Sequence, residues 1–229
     1  MLRWMLTRGV LGLLLLLLSG VGGAAAQQQH RPALAPLTSV RMQSIFYTTL
    51  DGPILVCQRR IESWNRWHDT CQSLAASPYY PQYAPGDVVE NVLYDGLFYS
   101  RRNAETTWAV TSAQAAHDPS LTLTEGLFGI PFVAIITDLG SVTIGGIPTT
   151  HYQYWSVDAA YNQSLGGIQP VYDHFVAADG LVIQDEASLR SSNTLTRVRG
   201  YTQHNTPIAV APPPANLVEA GKGAIINPR

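Results

Sequence analysis

The apolar residues of this chain follow two patterns. From Val40 onward most of them alternate with polar residues or form short runs bounded by Gly, Asp, Asn and Pro, the mark of strands joined by tight turns. Between Ser120 and Leu139 they instead crowd almost every position. Ser44–Leu50 is β-rich and ends at Asp51-Gly52, a hairpin signal. Ile54–Trp67 follows, and then a loop rich in Tyr and Pro from Ser77 to Gly86.

Val88–Thr111 gives the sharpest local reading. Asp95-Gly96 suits a two-residue type I′ turn, because both positions tolerate positive φ. That turn sets Tyr94 opposite Leu97, Val92 opposite Tyr99 and Glu90 opposite Arg101. A second reversal at Asn103-Ala104 would set Trp108 opposite Tyr99 and Val110 opposite Leu97. Alternation then places Val92, Tyr94, Leu97, Tyr99, Trp108 and Val110 on one aromatic-rich face.

His117-Asp118-Pro119 reads as a helix start, with Asp118 as N-cap and Pro119 at the first helical position. Pro131 should divide the following stretch into two short helical pieces. Both are apolar nearly all round, which fits either a deeply buried core helix or a lid whose spare face lines a cavity. After Gly145-Gly146 strands resume as Ile147–Val157, Val171–Ala177, Leu181–Leu189, Leu195–Gln203 and Pro207–Ala211. Asp179-Gly180 marks another tight hairpin, in which either register leaves acidic residues facing each other. The expected architecture is α+β and mostly β, with about nine to eleven antiparallel strands around one interrupted helix.

The N-terminus is read apart from the fold. Arg3 and Arg8, the apolar run Val10–Leu18 and the small residues Ala24-Ala25-Ala26 make a secretory signal peptide over 1–26, cleaved before Gln27. A retained anchor is the alternative, although the Leu run is short for a membrane span. The remaining divisions are a polar linker over 27–39, the folded domain over 40–218 and a flexible tail over 219–229. No cysteine follows the apolar run at a lipoprotein position, so an exported protein without a lipid anchor is expected. In an oxidising compartment Cys57 and Cys71, the only two cysteines, would form a disulfide across a reversal near Trp64-Asn65-Arg66. The alternative is two buried free thiols.

Composition removes several functions. At 46% apolar and 13% charged residues the chain can build a packed core, and a net charge of −2 leaves no basic footprint for nucleic acid. Lys222, the only lysine, leaves one candidate for amine chemistry, and it lies in the tail. The chain has no His-Glu-x-x-His, Gly-x-Ser-x-Gly, P-loop or Gly-x-Gly-x-x-Gly. His151, His174 and His204 fall on separate strands and offer the sole route to a metal site, but isolated strand histidines are usually hydrogen-bonded structural residues. Asp173 with Asp185-Glu186 reads as solvated charge rather than a catalytic pair. Asn162-Gln163-Ser164 matches a glycosylation sequon, which matters only in a glycosylating host. No catalytic residue, cofactor or metal is expected.

Four motifs in order resemble one family: "NVLYDGLFYSRRNAETTW" (Asn91–Trp108), "IGGIPTTHYQYW" (Ile144–Trp155), "VYDHFVAADGLVIQDEASL" (Val171–Leu189) and "RGYTQHNTPIAVAPPPAN" (Arg199–Asn216). Together they are similar to the LolA-like superfamily, most closely its LppX/LprG-type lipid-binding lipoproteins. The resemblance implies a half-open antiparallel β-barrel wrapped around helices, with a hydrophobic cavity between sheet and helices. It also implies a carrier or sensor of lipids, glycolipids or acylated proteins outside the membrane. Two departures are the missing lipobox cysteine and the Cys57/Cys71 pair.

Scarce charge, an aromatic sheet face and a greasy insert point the same way, to a non-enzymatic binder or carrier of lipid or acyl chains. Tyr94, Leu97, Tyr99 and Trp108 would form part of the cavity wall. Leu127, Phe128, Phe132 and Ile136 would form a helical lid moving near Gly126, Gly129 and Pro131, with Tyr152, Tyr154 and Phe175 as further lining. The partners would be a lipid or acylated molecule and a membrane-protein donor or acceptor, with the chain itself a monomer. The competing reading is an extracytoplasmic sensor or protein-interaction domain of the same fold, without lipid.

Overall fold

The computed structural model describes residues 31–47, 52–77, 83–112, 122–128, 134–164, 167, 169–192 and 194–220. Residues 1–26 read as a signal peptide, the expected helix start at Asp118-Pro119, and Gly129, Pro131 and Phe132 lie outside the described residues. The strands are β1 (Val40–Tyr47), β2 (Pro53–Ser63), β3 (Arg66–Ser73), β4 (Val88–Tyr94), β5 (Leu97–Arg102), β6 (Trp108–Ser112), β7 (Ala134–Ile144), β8 (Ile147–Ser156), β9 (Pro170–Ala177), β10 (Val182–Leu189), β11 (Thr194–Thr202) and β12 (Val218–Ala220). Two six-residue helices accompany them, α1 (Leu123–Phe128) and α2 (Ala159–Ser164).

All twelve strands join one sheet in the order β12-β6-β5-β4-β3-β2-β1-β11-β10-β9-β8-β7. Two meanders, β2 to β6 and β7 to β11, meet on either side of β1, which pairs antiparallel with both β2 and β11. β7 and β12 are left as unpaired edges, so the sheet is a half-open barrel.

Turn chemistry sets the registers. Asp95 and Gly96 have φ of 47° and 84°, the positive pair a type I′ turn requires. Tyr94 therefore faces Leu97, Val92 faces Tyr99 and Glu90 faces Arg101. Arg101 Nε donates to Glu90 Oε2 at 2.6 Å. The β2–β3 reversal at Trp64-Asn65 sets Cys57 directly opposite Cys71, and the two form a disulfide. Closing so short a loop contributes about 3 kcal/mol on chain-entropy grounds.

Several expectations are corrected. The β5–β6 register is shifted by two residues, with Tyr99 facing Val110 and Ser100 facing Ala109. The connection after Arg102 is longer than a two-residue turn: Glu105 N donates to Arg102 O at 3.1 Å and Arg102 N to Glu105 Oε2 at 3.2 Å. A shift of two keeps every side chain on its expected face. The second helical piece is instead strand β7, paired with β8 from Ala134–Ser156 to Ile144–Ile147. Its β-branched residues Ile135, Ile136, Thr137, Val142 and Thr143 suit the pleat, and a short apolar run cannot by periodicity alone be told from a helix. Pro207–Ala211 is irregular rather than a strand, and Val218–Ala220 pairs parallel with β6 instead of forming loose tail.

The helix α1 begins with a capping box that the apolar pattern hid. Thr122 Oγ1 accepts from Glu125 N at 3.2 Å while Glu125 Oε2 accepts from Thr122 N at 2.8 Å. Leu123, Leu127 and Phe128 turn toward the sheet and join Val40, Ile61, Trp67, Leu93, Phe98 and Tyr201 in the main core. Gly126 sits against Trp64, whose ring would be 2.6 Å from a Cβ there.

The segment before β1 is tied to the domain. Leu37 is buried in the core, Leu37 N donates to Thr124 Oγ1 at 2.8 Å, and Ala35 N donates to Gly180 O at 2.9 Å. Gly180 has φ of 84°, and a Cβ on it would lie 2.7 Å from the Ala33 carbonyl oxygen. Gly180→Ala is therefore expected to destabilise the protein by about 2 kcal/mol, read by urea unfolding. A loss below about 0.5 kcal/mol would mean that the 33–35 segment moves aside freely.

Candidate functional site

Cross-strand pairs share a face, so register assigns each expected lining residue to a side of the sheet. The row Val40, Ile61, Trp67, Leu93, Phe98 faces α1. Leu127, Phe128, Tyr152, Tyr154 and Ile136 lie on this side too. Phe128 packs edge-on to His174 and Tyr201, the Tyr154 hydroxyl is hydrogen-bonded with His174 Nε2 at 2.7 Å, and Ile136 faces Tyr154 across the β7–β8 pair. Ile136 belongs to the sheet wall, not to the lid.

Tyr94, Leu97, Tyr99, Trp108 and Phe175 lie on the opposite face. Val92, Tyr99 and Trp108 form a separate core with Val210, packed by Ile208, Leu217 and Val218. The chain after β11 crosses back over this aromatic face, anchored where Val210 N donates to Glu62 Oε2 at 2.8 Å. Leu97, 43% exposed, remains at its margin. Phe175 stacks on His151, away from His174.

An open groove of about 1130 Å³ also lies on the face away from α1. Arg41, Arg60 and His68 form one row of its floor and Gln43, Gln58 and Thr70 the next, with Ile144 and Ile147 from the β7–β8 turn on its margin. None of the residues expected to line an acyl cavity lines this groove. On the α1 side, Leu123, Leu127 and Phe128 themselves occupy the described space between helix and sheet.

The helix-facing side is polar at its centre, which the apolar pattern did not foretell. Asp69 is buried and accepts from Arg59 Nε at 3.0 Å and Asn91 Nδ2 at 2.9 Å. Asp185, 1% exposed, accepts Arg199 Nε on both oxygens at 3.0 and 2.9 Å and the Tyr201 hydroxyl as well. Arg197 approaches the same carboxylate only to 3.6 Å. Burial works against the Asp185 charge, but Arg199 and Arg197 outweigh it and hold the carboxyl below its usual range. Burial likewise opposes the Arg199 charge, and Asp185 more than offsets it. His174, 1% exposed, is pushed by burial down to about 4 and stays neutral at pH 7. The Tyr154 hydroxyl is pushed up by burial and the nearby Asp185 charge and stays protonated.

These contacts replace the solvated-charge reading of the acidic residues. Asp185 is enclosed by Arg199 and Tyr201, while Asp173, also buried, points to the other face and takes His151 Nε2 at 2.7 Å and Gln153 Nε2 at 3.0 Å. His151 and His174 thus lie on opposite faces, and His204 Nε2 contacts the Val182 carbonyl at 3.0 Å. Among the described residues no three metal-ligating side chains come together. Asn162 of the sequon lies in α2, buried, with its Nδ2 donated to Ser156 O at 3.1 Å, so the acceptor amide is used internally. The signal for the polar centre was present in β11, where Arg197, Arg199 and Tyr201 recur every second residue on one face.

The same architecture occurs in LprF from Mycobacterium bovis, at 14% identity and a TM-score of 0.51, covering 77% of this chain and 90% of that one. The lipoprotein LppX of Mycobacterium tuberculosis aligns at 14% identity over 76% of this chain and 90% of its own, with a TM-score of 0.39. A LolA superfamily protein from Nitrosomonas europaea aligns at 7% identity over 78% and 90%, with a TM-score of 0.28. No family model and no curated protein matches the sequence. The chain thus shares its fold with LprF.

Proposed function

We propose that the chain is exported, released from its signal peptide before Gln27, and acts as a non-enzymatic binder or carrier of acyl chains on the helix-facing side of the sheet. The observation that carries this reading is how α1 covers that side. A six-residue helix is not stable alone. It is held down by Leu123, Leu127 and Phe128 against apolar sheet residues, contacts without direction, and tethered on one side by Thr124 Oγ1, which accepts from Leu37 N and donates to Ala35 O. Near its C-terminus Leu127 O receives a long 3.4 Å hydrogen bond from Arg199 Nη2. An acyl chain that displaced α1 would exchange one set of apolar contacts for another, each methylene contributing about 0.8 kcal/mol of burial.

In this reading Leu127 and Phe128 are the displaceable cover, and Tyr152, Tyr154 and Ile136 line the wall. The aromatic face of Tyr94, Tyr99 and Trp108 is structural, sealed by the 208–218 segment. The cargo would be a lipid or acylated molecule passed between membrane-protein partners, with the carrier monomeric.

The test is to purify the exported protein, determine its intact mass and extract it for lipid mass spectrometry. The expected result is a mature chain beginning at Gln27, co-purifying lipid, and displacement of a fluorescent fatty acid by unlabelled acyl chains. Leu127→Asp should weaken that binding at least tenfold, since it puts an unpaired charge in the apolar contact. A protein always free of lipid, without affinity for the fluorescent probe, would leave the interaction-domain reading instead.

A further inference from the structure

We propose that the helix-facing interior holds a subsite for one anionic group, the carboxylate or phosphate monoester at the head of an amphiphile, built on the guanidinium of Arg197. The acyl part of that ligand rests on the reading above; the charge argument rests on the sheet alone.

Arg197 and Arg199 stand two residues apart on β11 and point to the same side, with Asp185 directly opposite Arg199. Asp185 is already filled by Arg199 on both oxygens and by the Tyr201 hydroxyl. At 3.6 Å the Arg197 Nη2 is beyond hydrogen-bond reach of it. Arg197 Nε is buried without a partner. Its cross-strand neighbours are Phe46 and Ala187, which bring no charge.

The other charged groups nearby are spent. Asp69 is matched by Arg59, Asp173 by His151 on the opposite face, and His174 is neutral, its Nδ1 also buried without a partner. Among the described residues two guanidiniums thus share one carboxylate, leaving a positive charge uncompensated there. Burial and the Arg199 charge both push the Arg197 guanidinium down from its ordinary value. Isolated buried cations are strongly disfavoured, and one retained with unused donors implies that the countercharge comes from outside the chain. With 16% of its side chain accessible, Arg197 can still be reached, and its fork suits a carboxylate or phosphate.

The test compares dodecanoate, its methyl ester, and acetate or inorganic phosphate on the mature protein at pH 7, each with wild type, Arg197→Met and Arg197→Lys. Dodecanoate should bind wild type at least about tenfold more tightly than the ester, the usual size of a charge-assisted pair. R197M should bring acid and ester within about twofold without weakening the ester, and R197K should keep part of the preference. R197M should unfold at the same or higher temperature than wild type, because it removes an unpaired charge. Acetate or phosphate should raise the Tm of wild type only at millimolar concentration; submicromolar binding by either would mean a free small anion rather than a lipid headgroup and would overturn the amphiphile assignment. Equal binding of acid and ester by wild type would overturn the anion subsite while leaving acyl binding intact. Absence of binding by either would defeat the acyl reading and, with it, this assignment. A clear fall in the Tm of R197M would make Arg197 a structural residue and overturn the proposal as well.

Discussion

Asp185→Asn is expected to lower the stability of the protein by about 3–5 kcal/mol, the largest effect of any single substitution considered. Among the described residues the carboxylate is the one anion paired with Arg197 and Arg199, and it also receives the Tyr201 hydroxyl. Removing its charge while keeping its shape leaves two guanidiniums enclosed with no counterion, and they repel each other from adjacent positions on one face of β11. The cost should appear as a shift of the urea midpoint with an unchanged slope. A double substitution, D185N with Arg199→Met, should recover part of the loss, because the second change removes one stranded charge. The sign with pH follows from the depressed carboxyl: its contribution is complete above the ordinary aspartate range and is lost as pH falls through the lower folded value, so wild type should show this loss only below about pH 4. If D185N proves less than about 1 kcal/mol weaker than wild type, the charge cluster is not holding the interior together.

The second large effect is a loss of stability between pH 6.5 and pH 4 that depends on His174. Burial lowers this imidazole from 6.5 to about 4, and its surroundings explain why charging it is unfavourable. Asp185, the anion with the largest influence on it, is already committed to Arg199; Arg199 and Arg197 oppose a third cation; Tyr154 and the edge of Phe128 complete the enclosure. Below pH 6.5 the unfolded chain takes up a proton that the native protein refuses. The stabilisation is therefore complete above pH 6.5, declines as pH falls, and is spent near pH 4. The depression corresponds to about 3 kcal/mol over that window. His174→Gln keeps a hydrogen-bonding partner for Tyr154 but cannot titrate, so its stability should be flatter with pH by that amount. The difference between the two proteins, measured by urea unfolding at pH 7, 5.5 and 4.5, separates His174 from the other histidines. Parallel profiles would show that the imidazole titrates normally.

Both effects arise in a part of the interior that the sequence pattern described only as strand. Burial of Asp185 and His174 follows from the pairing of β9, β10 and β11, with Asp185 facing His174 on one side and Arg199 on the other. The hairpin marked by Asp179-Gly180 left two registers open. A bulge between Val182 and Gln184 shifts the β9–β10 register along the pair. Past that bulge Glu186 still meets Asp173, but His151 and Gln153 from β8 reach over to the Asp173 carboxylate. The third strand that makes this contact acceptable could not be inferred from the hairpin alone.

Where neighbouring residues were enough, the chain itself determined the outcome. Asp95-Gly96 dictated the β4–β5 register down to the Glu90–Arg101 pair, Trp64-Asn65 brought Cys57 against Cys71, and period-two alternation put Val92, Tyr99 and Trp108 on one face. Turn conformation and side-chain alternation are local properties, and local properties can be read along a sequence. What covers each face was settled only in three dimensions. The aromatic face went to the returning 208–218 segment, the apolar run at 134–144 became edge strand β7, and the α1 side acquired a charged centre. Each depends on contacts between segments distant in sequence, where burial and charge pairing across the sheet outweigh what any one stretch prefers.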